Sequence, residues 1–338
     1  MGSVNLKTIA EKAGVSLATA SRVLSGSDYP VKDELRERVL QVAQELDYVP
    51  NANARGLLRG RSQTVGVLVG DVSDPFFSGM IGGIHDVAGK AGYMVTTVNT
   101  YREPGAELDI VRRLRAQRVD ILILAASGLA DPIHTESMQR SLRAFVEDGK
   151  SVVLIGRHEV AGDFPASRVE FDNRLAAREV AEHLQGLGHR EVAVVAGNSR
   201  LLSIADRVAG FRDVLGESLV VVEAEPTRDG GYEACGAILD DHPRVTAIAA
   251  TADQMAFGVL ARLRERGVQV PGQVSVTGFN DIAFAVDTVP ALTTAHLPLR
   301  EMGRSAMELG LRGLEGGHDR VDTKPQLVVR GSTGPVGR

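Results

Sequence analysis

Arg22 follows Ser16 by six residues in SLATASR, with Leu17, Ala18, Thr19 and Ser21 between them. An arginine among small apolar groups and hydroxyls is a set suited to DNA. A guanidinium donates two hydrogen bonds to a guanine edge, and small apolar groups touch a thymine methyl. Hydroxyls such as those of Ser16, Thr19 and Ser25 suit phosphate oxygens. A second stretch, PNANARGLLRGRS (Pro50 to Ser62), is basic and broken by glycine and asparagine, the traits of a solvated linker, yet it carries Leu57 and Leu58 side by side. Other chemistries find less support. The eight histidines form no close pair at metal-ligand spacing, and no G-x-S-x-G or P-loop pattern is present. Cys235, the single cysteine, lies in YEACGAIL on an apolar helix face and reads as a core thiol; alone it excludes an internal disulfide or a multi-cysteine metal site. No catalytic residue, metal ligand or cofactor is assigned.

The reading residues need helices to hold them. Asn5 is placed to cap a helix from Leu6 to about Ala13, with Leu6, Ile9, Ala10 and Ala13 as its apolar stripe. Gly14-Val15 breaks it, and Ser16 caps a second short helix, Leu17 to Leu24, whose inward residues are Ala20, Val23 and Leu24. Leu17, Ala18, Ser21 and Arg22 then face outward. A third helix reads Lys32 to Leu46, with Leu35, Val39, Val42, Ala43 and Leu46 on one face. Two short helices joined by A-G-V with a third behind them form a helix-turn-helix, whose second helix fits the major groove. The alternative is a small three-helix bundle with a solvent-facing arginine.

From Thr64 onward strand and helix alternate. TVGVLVG, YMVTTVN, VDILILAA and SVVLIGR are apolar runs of the kind found in buried parallel strands, and EVAVVAG, LVVVEAE, VTAIAAT and QVSVTGF form a second set. Helical stretches lie between them, at Phe77 to Lys90, Gly105 to Gln117, Met138 to Glu147, Leu175 to Gly188, Ala205 to Leu215, Tyr232 to Leu239 and Asp253 to Arg266. This order predicts an α/β fold with doubly wound parallel sheets, in two similar lobes of about four strands each. Such sheets bind ligands beyond the carboxyl ends of their strands. That rule singles out Asp71 to Phe77, the stretch from Gly156, Phe171 to Asn173, the loop before Ala205, Thr251 to Gln254 and Phe279 to Asp281.

At 338 residues, 43% hydrophobic and 24% charged, the chain has the composition of a soluble protein of two or three domains. The net charge of −5 is uneven: residues 1–62 hold nine Lys/Arg and seven Asp/Glu, while the rest holds 29 and 36. A slightly basic end on an acidic body is worth testing against an anionic partner. No apolar run reaches the length of a membrane span, and the N-terminus has no apolar signal region, so a cytoplasmic protein without membrane partners is expected.

LKTIAEKAGVSLATASRVLSG, followed by VKDELRERVLQVAQELDYVPNANARGL with its Tyr48-Val49-Pro50-Asn51 signature, resembles the DNA-binding headpiece of the lactose-repressor (LacI/GalR) family of bacterial transcription regulators. The resemblance continues to the C-terminus and implies a fold: an N-terminal three-helix helix-turn-helix domain (1–49), a hinge (50–62) and a two-lobed, periplasmic-binding-protein-like sensor (63–338). The chain is then expected to cross between lobes near 160, 292 and 325. The first lobe comprises about 63–160 and 293–325, and the second about 161–292 and 326–338. The resemblance places Asn51, Ala54, Arg55, Leu57 and Leu58 in the DNA-binding segment. Leu57 matches the family's minor-groove wedge. Leu58 falls where some relatives place a base-contacting lysine and is expected to pack against its dimer mate or the headpiece.

The family motif S-x-x-x-R-x-x-G-F stands here as Ser203 to Phe211, so the resemblance gives Ser203 and Arg207 the gripping of effector hydroxyls or a carboxylate; Arg207 paired with Asp206 is the alternative. G-[YF]-[DN]-[DN] reads Gly278 to Asp281 and makes Asn280 an effector contact. Phe76 and Phe77 match an aromatic pair that stacks on a ring or simply packs in the core. Asp172 is either an effector contact or a helix cap. Pro226, Ala252, Leu297 and Leu299 depart from aromatic or polar contacts of relatives, and tryptophan is absent, which leaves the sensed molecule open between a sugar and a nucleobase or nucleoside. The implied function is a regulator, a repressor by family habit. It would bind a pseudo-palindromic operator as a homodimer or tetramer under control of a sugar-like effector. Two other classes share part of this pattern. A solute-binding protein of a transport system shares the two-lobed body but not the helix-turn-helix, and a dinucleotide enzyme lacks G-x-G-x-x-G where the chain reads GVLVGDVSD.

Overall fold

A computed structural model describes residues 4–25, 29–49, 61–125, 127–159, 164–217 and 219–337. The chain divides into two compact units, Met1–Gln63 and Thr64–Arg338. Asn51, Ala54, Arg55, Leu57 and Leu58 lie outside the described residues.

Among the described residues the first unit has three helices, α1 (Leu6–Ala13), α2 (Leu17–Ser25) and α3 (Asp33–Glu45). The Asn5 side chain accepts from the Thr8 amide at 3.0 Å and starts α1. Gly14 ends it at φ 63°, a left-handed conformation that costs a residue without Cβ nothing. The Ser16 hydroxyl then accepts from the Thr19 amide at 3.0 Å and starts α2. Ile9, Ala10, Ala13, Ala20, Val23, Val39 and Ala43 form the core, with Leu6, Leu24 and Leu46 partly buried around it. Helix α3 is shorter than expected at its start, because Lys32 occupies the cap position without a side-chain hydrogen bond.

The second unit holds two six-stranded sheets. In chain order its elements are β1 (Thr64–Val69), α4 (Pro75–Ala88), β2 (Met94–Asn99), α5 (Pro104–Ala116), β3 (Ile121–Leu124), α6 (Pro132–Glu147), β4 (Ser151–Ile155) and β5 (Ser167–Phe171). There follow α7 (Asn173–Gly186), β6 (Val192–Ala196), α8 (Leu202–Leu215), β7 (Val220–Glu223), α9 (Arg228–Asp241), β8 (Ala247–Ala250), α10 (Asp253–Glu265) and β9 (Ser275–Asn280). The last elements are β10 (Thr293–His296), α11 (Leu299–Gly313), β11 (Arg320–Thr323) and β12 (Gln326–Val328). The first sheet runs β11-β5-β4-β3-β1-β2 and the second β12-β10-β9-β8-β6-β7. All pairings are parallel except β10 with β12.

Pairing moves two of the expected crossovers. β5 joins the first sheet, so the chain enters the second lobe after Phe171 rather than near 160. β10 pairs with β9, so the return follows His296 rather than 292. The third lies between β11 and β12, close to 325. The sheets also exceed the expected four strands each. β5 alternates buried with half-buried residues (SRVEF), β11 is a largely polar edge, and β12 is an edge of only three residues. They lack the continuous apolar run that marks a central strand. YMVTTVN and LVVVEAE contain edge strands rather than fully buried ones: β2 and β7 end their sheets, and Met94 is 74% exposed.

Candidate functional site

The carboxyl ends of both sheets face one cleft between the lobes of the second unit. Its walls come from the segments after β1 (Asp74, Phe76, Phe77), β2 (Arg102), β3 (Ser127), β4 (Gly156) and β5 (Asn173). The opposite wall comes from the segments after β6 (Leu201, Ser203, Ile204, Arg207), β8 (Thr251, Ala252, Met255) and β9 (Asn280). Pro226 and Leu297 line it as well.

Arg207 is the most constrained of these. It is 5% exposed, on the second turn of α8. Its Nε donates to Asn173 Oδ1 at 2.8 Å and its Nη1 to the Thr251 carbonyl at 2.5 Å. The guanidinium lies 3.8 Å above the Phe279 ring centre. Nη2 makes no hydrogen bond in the described structure, so its donors remain for a ligand. Burial pushes the Arg207 pKa down to about 9, against the attraction of Asp253. The alternative partner, Asp206, is engaged elsewhere, by Arg157 Nη1 at 2.5 Å.

Asp253 was not singled out from the sequence, although TADQ was located as a strand end. It is fully buried at the start of α10, accepting from Thr294 Oγ1 at 2.6 Å and from the Ile282 amide at 2.8 Å. Burial raises its carboxyl to about 7, opposed by those hydrogen bonds. The glycine of the Gly278-Phe279-Asn280-Asp281 motif has a local reason: a Cβ there would stand 2.2 Å from Asp253 Oδ1. Asn280 is buried with φ at 112°, and its Oδ1 accepts no hydrogen bond. A strained backbone and an unsatisfied buried acceptor thus meet on one residue of the cleft wall.

The other expected contacts divide. Ser203 lines the cleft, and its amide donates to Ser127 Oγ at 3.0 Å across the lobes. Phe76 and Phe77 meet edge to face with ring centres 5.0 Å apart. Phe77 is 1% exposed and belongs to the core, while Phe76 is partly buried. Both still border the cleft. Asp172 does not. It is exposed, and its Oδ1 caps α7 by accepting from the Leu175 amide at 2.9 Å, while the neighbouring Asn173 lines the cleft. The strand-end rule reached this loop, but strand direction put residue 173, not 172, on the inner side.

Two charged cleft residues went unnamed in the sequence. Asp74 caps α4 by accepting from the Phe76 amide at 2.9 Å and also accepts from Gln254 Nε2 at 3.0 Å, joining the lobes; burial raises its pKa. Arg102 lines the first-lobe wall, and burial lowers its pKa. The Ser-Asp-Pro order is a helix-start signal that could have drawn attention to Asp74. Nothing local distinguishes Arg102 from the chain's other arginines. The lobes are further tied by Arg157–Asp206, by Arg200–Asp131 at 2.8 Å and by a bridge between Leu129 and Leu201.

In the first unit, Ser16, Leu17, Ala18 and Arg22 are exposed, while Thr19 and Ser21 are half-buried. The Arg22 guanidinium rests 4.1 Å above the ring centre of Tyr29, a partner not anticipated from the sequence. Among the described residues no cluster of His, Cys, Asp and Glu is arranged to hold a metal ion. Cys235 is fully buried and its thiol is pushed up to about 12, as suits a packed, unreactive side chain. No helix among the described residues is long and apolar enough to cross a membrane.

A helix-turn-helix unit and a two-lobed binding body with its cleft at the strand ends define a ligand-responsive regulator. Comparison with known proteins specifies it further. Residues 5–51 match the model of bacterial regulatory proteins of the lacI family, and residues 181–333 match a periplasmic binding protein-like domain. The HTH-type transcriptional regulator GalS of Salmonella typhimurium is 34% identical over 338 residues, covering 97% of this chain and 96% of the relative. GalR of Escherichia coli is 33% identical over 313 residues, covering 90% and 88%. Among solved structures, the lac repressor dimer bound to operator and the anti-inducer ONPF superposes with a TM-score of 0.84 at 25% identity, covering 98% of this chain and 100% of that one. The CelR–cellobiose complex does so with a TM-score of 0.70 at 28% identity, covering 98% and 100%. The chain belongs to the lacI family of bacterial regulatory proteins. It is a DNA-binding transcriptional regulator, not an enzyme.

Proposed function

We propose that the protein is a repressor that binds a pseudo-palindromic operator as a homodimer. A small, sugar-like molecule held between the sensor lobes sets its affinity for DNA. The observation that carries the effector half is Arg207, a buried guanidinium facing the cleft with Nη2 unspent. Unspent donors of this kind suit a vicinal diol or a carboxylate. Ser203, Asn280 and Asn173 supply further polar contacts, and Phe76 a ring face. The solved complexes of CelR with cellobiose and of an Enterococcus faecalis relative with ribose support a sugar-like ligand.

On the DNA side, Leu17, Ala18, Ser21 and Arg22 on α2 read base edges while Ser16, Thr19 and Ser25 take phosphates. Asn51, Ala54, Arg55, Leu57 and Leu58 supply the hinge contacts, with Leu57 as the minor-groove wedge. Effector binding changes the balance between lobe arrangements, and that balance sets the spacing of the two hinges.

The test is fluorescence anisotropy of the full chain on palindromic DNA across a salt series. Binding should weaken steeply with salt, with a slope of about −0.9 per phosphate neutralised. No salt-sensitive binding at micromolar protein would overturn the reading. Leu57→Ala should cost about 2 kcal/mol of operator binding. Unchanged operator affinity would remove the wedge.

A further inference from the structure

Arg207 is not the only guanidinium that faces the cleft. Arg102 follows β2 on the opposite lobe, partly buried. It and Tyr101 are held at φ 60° and 49°, a region in which residues with side chains are strained. The Arg102 amide donates to Thr100 Oγ1 at 3.1 Å, but its guanidinium makes no hydrogen bond and no ion pair in the described structure. The side chain lies instead across Gly70, where an added Cβ would stand 3.0 Å from its Nε. Asp74 and Glu225 act on it only through space. A guanidinium carries five donors, and those of Arg102 have no protein acceptor where the side chain borders the cleft.

The charges of the cleft make the same point. Among the described residues three lining side chains are charged, Asp74, Arg102 and Arg207, and together they leave one positive charge. The two arginines also disfavour one another across the cleft, since Arg102 lowers the pKa of Arg207. Asp253 stands behind Arg207 and does not line the space, and its raised pKa leaves it only partly ionised near neutral pH. A monoanion between the lobes would meet unused donors on both walls and relieve the repulsion between them.

We propose that the molecule bound in the cleft is a small polyhydroxy carboxylate of the aldonate or uronate class, its carboxylate received by Arg102 while Arg207 and Asn280 hold hydroxyls. This rests on the reading of the cleft as an effector site. A carboxylate balances the single excess charge and matches the arginine fork. A phosphomonoester, at close to two negative charges, would leave an excess in a desolvated site.

The test is calorimetric titration of the full chain with matched probes: D-glucose, D-gluconate, D-glucuronate and D-glucose 6-phosphate, and the corresponding galactose series. At least one carboxylate should bind about tenfold or more tightly than its neutral parent, a difference of about 1.4 kcal/mol. Arg102→Gln should collapse that preference by weakening the acid. The proposal is overturned if no carboxylate binds at millimolar concentration, if the neutral parent or the phosphate binds more tightly, or if the preference survives Arg102→Gln. A ligand-free measurement stands beside it: Arg102→Met should raise the melting temperature by a few degrees, because a partly buried cation without a protein acceptor is removed. A lower melting temperature would mark Arg102 as a structural cation and overturn the proposal. Failure of the cleft reading itself has a different signature, namely carboxylate binding that is unaffected by Arg207→Gln.

Discussion

The DNA-reading unit and the effector cleft are assembled in opposite ways. The first is local: three helices within 45 residues, started by Asn5 and Ser16 and closed on a core with no side chain larger than Ile9 and Val39 among its buried members. The second collects side chains from Asp74 to Leu297, contributed by the ends of strands in two sheets. A local unit has few buried contacts, so one lost methyl group is felt throughout it. A cleft built from many strand ends rests on two large cores, so losing one polar side chain there should alter binding more than folding.

That contrast is sharpened first by the headpiece core. Ile9→Ala should cost about 3 kcal/mol and unfold much of the first unit, abolishing DNA binding while effector binding persists. Operator affinity unchanged in anisotropy titrations would show that the small core is more robust than its size implies. Next is Arg207→Ala, which strands Asn173 Oδ1 and removes the packing on Phe279. Effector affinity should fall about a hundredfold, close to 3 kcal/mol, with operator binding retained. A retained effector response in a reporter assay would overturn the assignment.

A smaller effect follows from Asp253. Its proton is held more tightly in the folded chain than in the unfolded one, with the folded pKa raised to about 7. The folded state therefore binds more protons between the ordinary carboxylate value and pH 7, and stability of the sensor should decline as pH rises through that window and then level off. Asp253→Asn should flatten this decline in urea denaturation followed from pH 5 to 8. A decline that survives the substitution would point to other groups. The smallest effect is expected at Arg157, whose half-exposed ion pair with Asp206 ties the lobes. Arg157→Gln should cost no more than about 1 kcal/mol of stability. It should also loosen the tie between the lobes, measurable as a faster effector off-rate.

Legibility in the sequence followed the same division. The helix starts at Asn5 and Ser16, the stop at Gly14 and the exposed face of α2 depend on residues within one or two turns, and their patterns were readable directly. Apolar runs marked the central strands, but β5, β10, β11 and β12 carry no continuous apolar signal, being polar, alternating or short. Arg207, Ser203 and Asn280 were found through a family motif and then placed at the cleft by the fold. Asp172 shows where motif and strand-end reasoning stop short, since one residue of difference decides between capping a helix and facing a ligand.

The sequence by itself determined the alternation of elements, the helix-turn-helix and the family, because each is written in local periodicity, capping and spacing. Only the tertiary structure decided where the chain crosses between lobes and that Asp253 lies buried behind Arg207. It also decided that Arg102 stands beside the cleft without an acceptor. The reason is physical: burial, pairing and pKa depend on which strand ends meet in space, and residues 102, 207 and 253 meet only after two sheets have formed.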